Sequence, residues 1–287
     1  MRKTFLVSLL LSALFVSAQE NVLFTEDFDY PDGSVLTVNP DWFLQWGGET
    51  HMAIVSPALT FEGYIGSDVG QALLIEGDYS NDQPHHVFEQ VKSGDVYVAL
   101  LLEPTFVTKT GWFLTLRDEK ITQSTFNYCG RVYVGVDEEY NTLIGLRFFK
   151  KAEAVFADVH LDAEKTYLVV MRYHIVEGNS NDEISLYLFD KMPTEMPSEP
   201  LIGPLTDPQA PDINPAHIAF HSFDDDGWLT IDGLRIATTF EDALGPLGTG
   251  LDEQTSERAE VRRKMVNGTI IIEKNDEKYS VLGTRLK

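Results

Sequence analysis

The sequence predicts an all-β protein folded as an antiparallel β-sandwich, and three observations carry that prediction. From Thr166 to Phe240 the text alternates in facing: Tyr167, Val169, Met171, Tyr173 and Ile175 fall on one side of a strand, and Ile184, Leu186 and Leu188 on one side of the next. Clusters of turn-forming residues, such as 177–182 and Asp224 to Gly227, separate these runs. No stretch of 12 or more residues holds a 3.6 period, so a class with layers of helix is excluded.

The elements follow in order. Val22 to Glu26 reads as a short strand that leads into the turn at Pro31-Asp32-Gly33. Alternating runs continue at Val96 to Leu102, Trp112 to Leu116, Arg131 to Val136 and Ile144 to Phe149. The segment from Lys191 to Pro215 holds seven prolines; proline lacks the ladder donor, so this is a surface excursion and not a central strand. His217 to Phe220 and Trp228 to Phe240 close the sandwich. Gly245 to Gly250 and the polar run after it have linker composition. Val266 to Gly283 then reads as a β-hairpin turning at Asn275-Asp276. The expected organisation is a signal over 1–18, a sandwich over 19–243, a linker over 244–262 and a C-terminal hairpin over 263–287.

Arg2 and Lys3, the apolar run from Phe5 to Val16 and the small residues to Ala18 read as a secretory signal. No later stretch approaches about 20 apolar residues, so no transmembrane segment is expected. Without Arg2 and Lys3 the chain carries 20 basic against 45 acidic residues, a net charge of −25. That surplus argues against nucleic acid and anionic membrane as partners. The charge is uneven: residues 258–287 hold 8 basic against 4 acidic, which sets the tail apart. The one cysteine, Cys129, excludes an intrachain disulfide and reads as a small buried apolar residue.

Candidate binding residues are few. Trp42 and Trp46 stand beside Gly47-Gly48, and flat aromatic faces next to open backbone suit sugar stacking. The alternative for both is a place in the core. Asp224, Asp225 and Asp226 group carboxylates in one turn, which suits calcium; the same residues also serve a hairpin turn for conformational reasons alone. His217 and His221 carry the spacing of a helical zinc pair. On a strand, four residues span about 13 Å, too far for one metal, so they read as structural or surface histidines. His85 and His86 read as loop residues.

The order of Glu26-Asp-Phe-Asp-Tyr30, Gly63-Tyr64, Val96-Tyr97, Gly111-Trp-Phe113, Gly130-Arg-Val-Tyr133 and Ile231-Asp-Gly-Leu-Arg-Ile236 resembles the concanavalin A-like (laminin-G-like) jelly rolls of secreted Bacteroidetes-type surface proteins. The resemblance covers roughly Val22 to Ala243. Separately, Asn267-Gly268, Ile270 to Ile272, Lys278-Tyr279 and Leu282-Gly283 resemble a type IX secretion sorting segment. That resemblance implies an outer-membrane secretion machinery as partner and a secreted or cell-surface location. Glucanases of the same fold carry a Glu-x-Asp-x-(x)-Glu strand, and this chain has none. The reading that follows is an exported, non-catalytic module for polysaccharide or a surface glycoprotein. A structural surface protein is the alternative, and a glycoside hydrolase with unrecognised acids is the second alternative.

Overall fold

The computed structural model describes residues 21–44, 50–77, 82–118, 128–149, 152–222 and 227–247, and the backbone strands within 262–286. The chain divides into a unit over Met1–Gly248 and a second over Thr249–Lys287. In the first unit the strands are β1 (Val22–Glu26), β2 (Phe43–Leu44), β3 (Ala53–Val55), β4 (Ala72–Glu76), β5 (Pro84–Val87), β6 (Gly94–Val107), β7 (Gly111–Asp118) and β8 (Tyr128–Val136). They continue as β9 (Thr142–Arg147), β10 (Val155–Leu161), β11 (Tyr167–Ile175), β12 (Glu183–Phe189), β13 (Ile202–Leu205), β14 (Pro215–Phe220) and β15 (Gly227–Ala237), before a five-residue helix α1 (Phe240–Leu244). One sheet runs β13-β12-β11-β6-β15-β4-β3, with β1 also paired to β15, and the other runs β10-β9-β8-β7-β14-β5-β2. Every pairing is antiparallel. The expected antiparallel sandwich is the observed fold.

The two sheets share one apolar layer. Val169, Met171 and Tyr173 of β11 enter it from one side, and Leu114, Leu116, Val132, Ile144, Ile218 and Phe220 from the other. The opposite face of β11 is also buried. Leu168 and Val170 pack with Tyr97, Tyr187, Phe240, Ala243 and Leu244 in a second cluster, so this strand is buried on both sides rather than half-buried. The proline-rich excursion supplies β13, which pairs only with β12 at the edge of its sheet, where Pro204 interrupts no inner ladder.

Two contacts explain the motifs at the ends of this unit. Glu26 accepts hydrogen bonds from the Phe28 N–H (2.8 Å), the Tyr30 hydroxyl (2.6 Å) and the Trp42 indole N–H (2.8 Å). Trp42 is therefore a core residue, 1% exposed and stacked on Phe220 at 5.1 Å. At the other end Asp232, buried, accepts from the Leu59 and Gly233 N–H groups. Burial pushes its carboxyl up to about 7. Gly233 sits at φ +57, against Gly66, and its carbonyl accepts from the Tyr64 hydroxyl at 2.6 Å.

In the second unit β16 (Arg262–Val266), β17 (Thr269–Lys274), β18 (Glu277–Ser280) and β19 (Arg285–Leu286) form a four-stranded antiparallel meander. The expected hairpin is its central pair, β17 and β18, and the flanking strands extend it. Two strands alone are marginal in water, and the two added strands extend the backbone pairing.

Two stability changes follow. Trp42→Ala should cost about 3–5 kcal/mol, since it empties a core site and leaves the Glu26 carboxylate short of a donor, and Tm should fall on the order of 10 °C. A Tm unchanged in differential scanning calorimetry would contradict the core placement. Gly233→Ala places a side chain at positive φ and against the Gly66 backbone; strain of about 1–2 kcal/mol from the backbone alone should lower Tm by several degrees. Unchanged melting there would mean the two glycines do not touch.

Candidate active site

The seven-stranded sheet turns its apolar residues inward, so every second residue points away from the core. On β7 these outward residues are Trp112, Thr115 and Arg117. On β14 they are His217 and Ala219, followed by His221. On β5 the outward residue is His85, opposite Ala219, and on β9 it is Arg147. β8 requires a correction to its alternation. Leu114 pairs with Val132 and Leu116 with Cys129, so one extra residue is absorbed on β8 at the bulge. Gly130 takes φ +66 there, with the Met171 side chain close against its α-carbon. The bulge keeps Cys129 and Val132 in the core and sets Tyr128 and Arg131 together on the outward face. Burial pushes the Cys129 thiol well above its usual range.

The outward layer is buried, polar and aromatic. His85 is 0% exposed and Arg117 2%, and Thr115, Tyr128, Tyr133, His217 and His221 are buried with them. The Arg117 guanidinium lies 4.6 Å from the centre of the Tyr128 ring. That of Arg131 lies 4.8 Å from Trp112 and 5.1 Å from Tyr128. The His221 ring stacks on Trp112 at 3.9 Å, His85 and His217 are 5.6 Å apart, and Phe43 covers His85 at 4.0 Å. Gln83, just before β5, joins the two sides of the layer. Its side-chain oxygen accepts from the Tyr128 hydroxyl, and its backbone oxygen lies 3.4 Å from His85 Nδ1. Asp82 anchors this corner by donating its N–H to Ser222 Oγ (3.0 Å) and accepting from the His51 N–H (2.6 Å).

Electrostatics separate these groups. Burial first, and then the nearby Arg117 charge, push the His85 pKa down to about 4, so the ring is neutral near pH 7. Its Nε2 is buried without a hydrogen-bond partner among the described residues, as is Arg131 Nε. Burial raises the Tyr128 pKa while Arg117 and Arg131 pull it back. Elsewhere the buried cations take carboxylates: Arg172 binds Asp95 at 2.8 Å, and Arg235 binds Asp27. Burying arginine and histidine together costs several kcal/mol that a plain sheet surface avoids. Such perturbed groups mark functional sites.

The sequence candidates fall elsewhere. Trp42 offers no ring face to a ligand because it lies in the core on the Phe220 ring. Trp46, Asp224, Asp225 and Asp226, and with them the calcium reading, lie outside the described residues. His217 and His221 are on a strand as expected, but they belong to the outward layer. His85 and His86 are on β5 rather than in a loop. Their rings point to opposite faces, with His86 stacked on Phe24 at 4.1 Å. Histidines alternating with apolar residues (His217-Ile-Ala-Phe-His221), together with Gln83-Pro-His85, were the available signal.

No known family model and no curated protein sequence matches the chain. Among solved structures it is similar to a variant of alginate lyase Aly36B bound to alginate tetrasaccharide, at 10% identity and TM-score 0.46, over 74% of this chain and 95% of that one. It is similar to a glycosyl hydrolase family protein from Mycobacterium fortuitum (13%, TM-score 0.41, 75% and 99%). A putative β-glucanase from Mycobacterium abscessus follows (13%, TM-score 0.38, 75% and 99%). At these scores the likeness is one of general sandwich architecture. The expectation of a non-catalytic binding module is nevertheless corrected here, because these neighbours are named as lyases and hydrolases. The search for carboxylate triplets tested one kind of chemistry only and passed over a buried layer of histidine, tyrosine and arginine.

Proposed function

We propose that the protein is a carbohydrate-active enzyme that cleaves an anionic, uronate-bearing polysaccharide by β-elimination on the outward face of the seven-stranded sheet. One observation carries this reading. A neutral buried histidine with an unpartnered Nε2 shares a face with a neutral tyrosine, linked to it through Gln83, in a layer that also holds two arginines stacked on rings. Elimination next to a carboxylate needs a base for the acidic C–H, positive charge for the enolate-like carboxylate that develops, and an acid for the leaving oxygen. His85 Nε2 takes the proton α to the carboxylate. Arg117, with Arg131 beside it, stabilises the charge that builds on the carboxylate oxygens. Tyr128 donates its proton to the glycosidic oxygen as the C–O bond breaks and the C=C bond forms. Hydrolysis by paired carboxylates needs two acids about 5–5.5 Å apart, and the outward positions named above hold none.

We also propose that the enzyme works outside the cytoplasm, with residues 1–18 as an export signal and the basic tail as a sorting segment. A polysaccharide substrate is consistent with that address.

The chemistry is tested by incubating the protein with alginate and polygalacturonate. Elimination should give new ultraviolet absorbance from the conjugated double bond at the cut; reducing ends without it would mean hydrolysis and sink the proposal. His85→Gln and Tyr128→Phe should each lower kcat by about 10²–10⁴-fold with the circular dichroism spectrum unchanged. Because the base is the neutral imidazole, and its pKa is held down to about 4, kcat/KM should persist as pH falls through the usual histidine range and drop only near pH 4. An acid limb near 6.5, the ordinary histidine value, would assign the base to another group. Deleting residues 265–287 should retain the protein in the periplasm with the sandwich still folded; normal delivery of the truncated chain would remove the sorting assignment.

A further inference from the structure

Arg131 and Arg147 are Cα partners on the neighbouring strands β8 and β9, and both point outward. Side chains so placed start about 4.5–5.5 Å apart, and like charges directly opposite each other destabilise a sheet. Among the described residues no carboxylate pairs with either one, in a chain that carries 45 acidic residues. Arg131 lies over the Trp112 and Tyr128 rings, and its Nε is buried without a partner. Arg147 donates through Nε to the Phe149 carbonyl (2.9 Å) and through Nη1 to the Tyr133 hydroxyl (3.1 Å). Those two bonds hold its guanidinium in place without neutralising it. Beyond it Phe156 lies across Gly135 and Gly145, where any side chain carbon would collide with its ring. The sheet therefore continues past the Arg117–Tyr128 pair as a fixed cationic step with an aromatic border.

We infer that Arg131 and Arg147 form a second anion subsite, one strand spacing of about 4.8 Å from the reacting pair, which binds the carboxylate of a sugar adjacent to the one that is cleaved. This rests on the elimination reading and narrows it: the substrate is a polymer with charge on consecutive sugars, and isolated uronates along a neutral chain are poor substrates. A guanidinium pair recognises a carboxylate through directed N–H donors, so the geometry favours bound carboxylate over a diffuse counterion cloud.

The test uses the full chain carrying His85→Gln, so that polymer is bound without being cut. Its affinity is measured by isothermal titration calorimetry for alginate and for alginate with half of its carboxylates reduced to alcohols. Adding Arg147→Gln should weaken binding of the fully charged polymer about tenfold, while the half-reduced polymer changes less than about threefold, and Arg147→Lys should recover part of the loss. In the chain with His85 intact, Arg147→Gln should raise KM far more than it lowers kcat. Equal weakening for both polymers, or none for either, overturns the subsite. If the intact chain cleaves alginate by elimination and only the Arg147 result fails, the subsite alone falls. If neither alginate nor polygalacturonate is bound or cleaved, both proposals fall. Where Arg147→Gln melts below the working temperature, Tyr133→Phe, which removes the oxygen that fixes Nη1, serves instead and should produce the same selective loss in smaller measure; no selectivity there also overturns the subsite.

Discussion

Two sheets packed on one apolar layer leave each central strand of the seven-stranded sheet a single free choice, namely what to place on its other face. The side-chain period of a strand is two, so a slip of one residue exchanges the faces. The register that buries Leu114, Leu116, Ile218 and Phe220 also turns Arg117 and His217 outward, side by side. The Gly130 bulge then adjusts β8 by one residue, and this adjustment brings Tyr128 and Arg131 onto the face that Arg117 occupies. Core packing and site assembly are thus one constraint. A change that moves the register of β8 disturbs both.

The electrostatic character of that face runs against the rest of the chain. A protein of net charge −23 repels anionic polymers at long range, an effect screened beyond about 8–10 Å at physiological salt. A buried cluster of arginine among aromatic rings acts at shorter range, where screening is weak and the local dielectric is low. The arrangement separates recognition from attraction. Approach is unaided by the overall field, and binding relies on donors held in place by Tyr133, Phe149, Trp112 and Tyr128.

Much of the sandwich was legible because period-two alternation survives in β6, β7, β8, β11 and β12. Strands that depart from it were harder to read. β13 hides among prolines, and β5 carries a proline and two adjacent histidines. The site was less legible for a different reason. Its members come from β5, β7, β8 and β14, which are distant in the chain and become neighbours only through the sheet order. Trp42 drew attention as an exposed platform because glycines follow it, yet the Glu26 carboxylate sixteen residues earlier accounts for its buried indole N–H. Histidines four apart on a strand were set aside as metal ligands for sound geometric reasons. The same geometry places both on one face, and there His221 stacks on Trp112 and His217 approaches His85.

Cys129 carries a consequence of another kind. It is the chain's one cysteine, lies fully buried in the layer between the sheets, and has its thiolate disfavoured by burial. In the folded protein the sulfur is therefore out of reach of oxidants and of other chains, which suits an oxidising surrounding without any disulfide. Only separation of the two sheets exposes it. The rate at which a thiol reagent modifies this chain is thus a clock for the opening of its core, readable at one atom and without any engineered label.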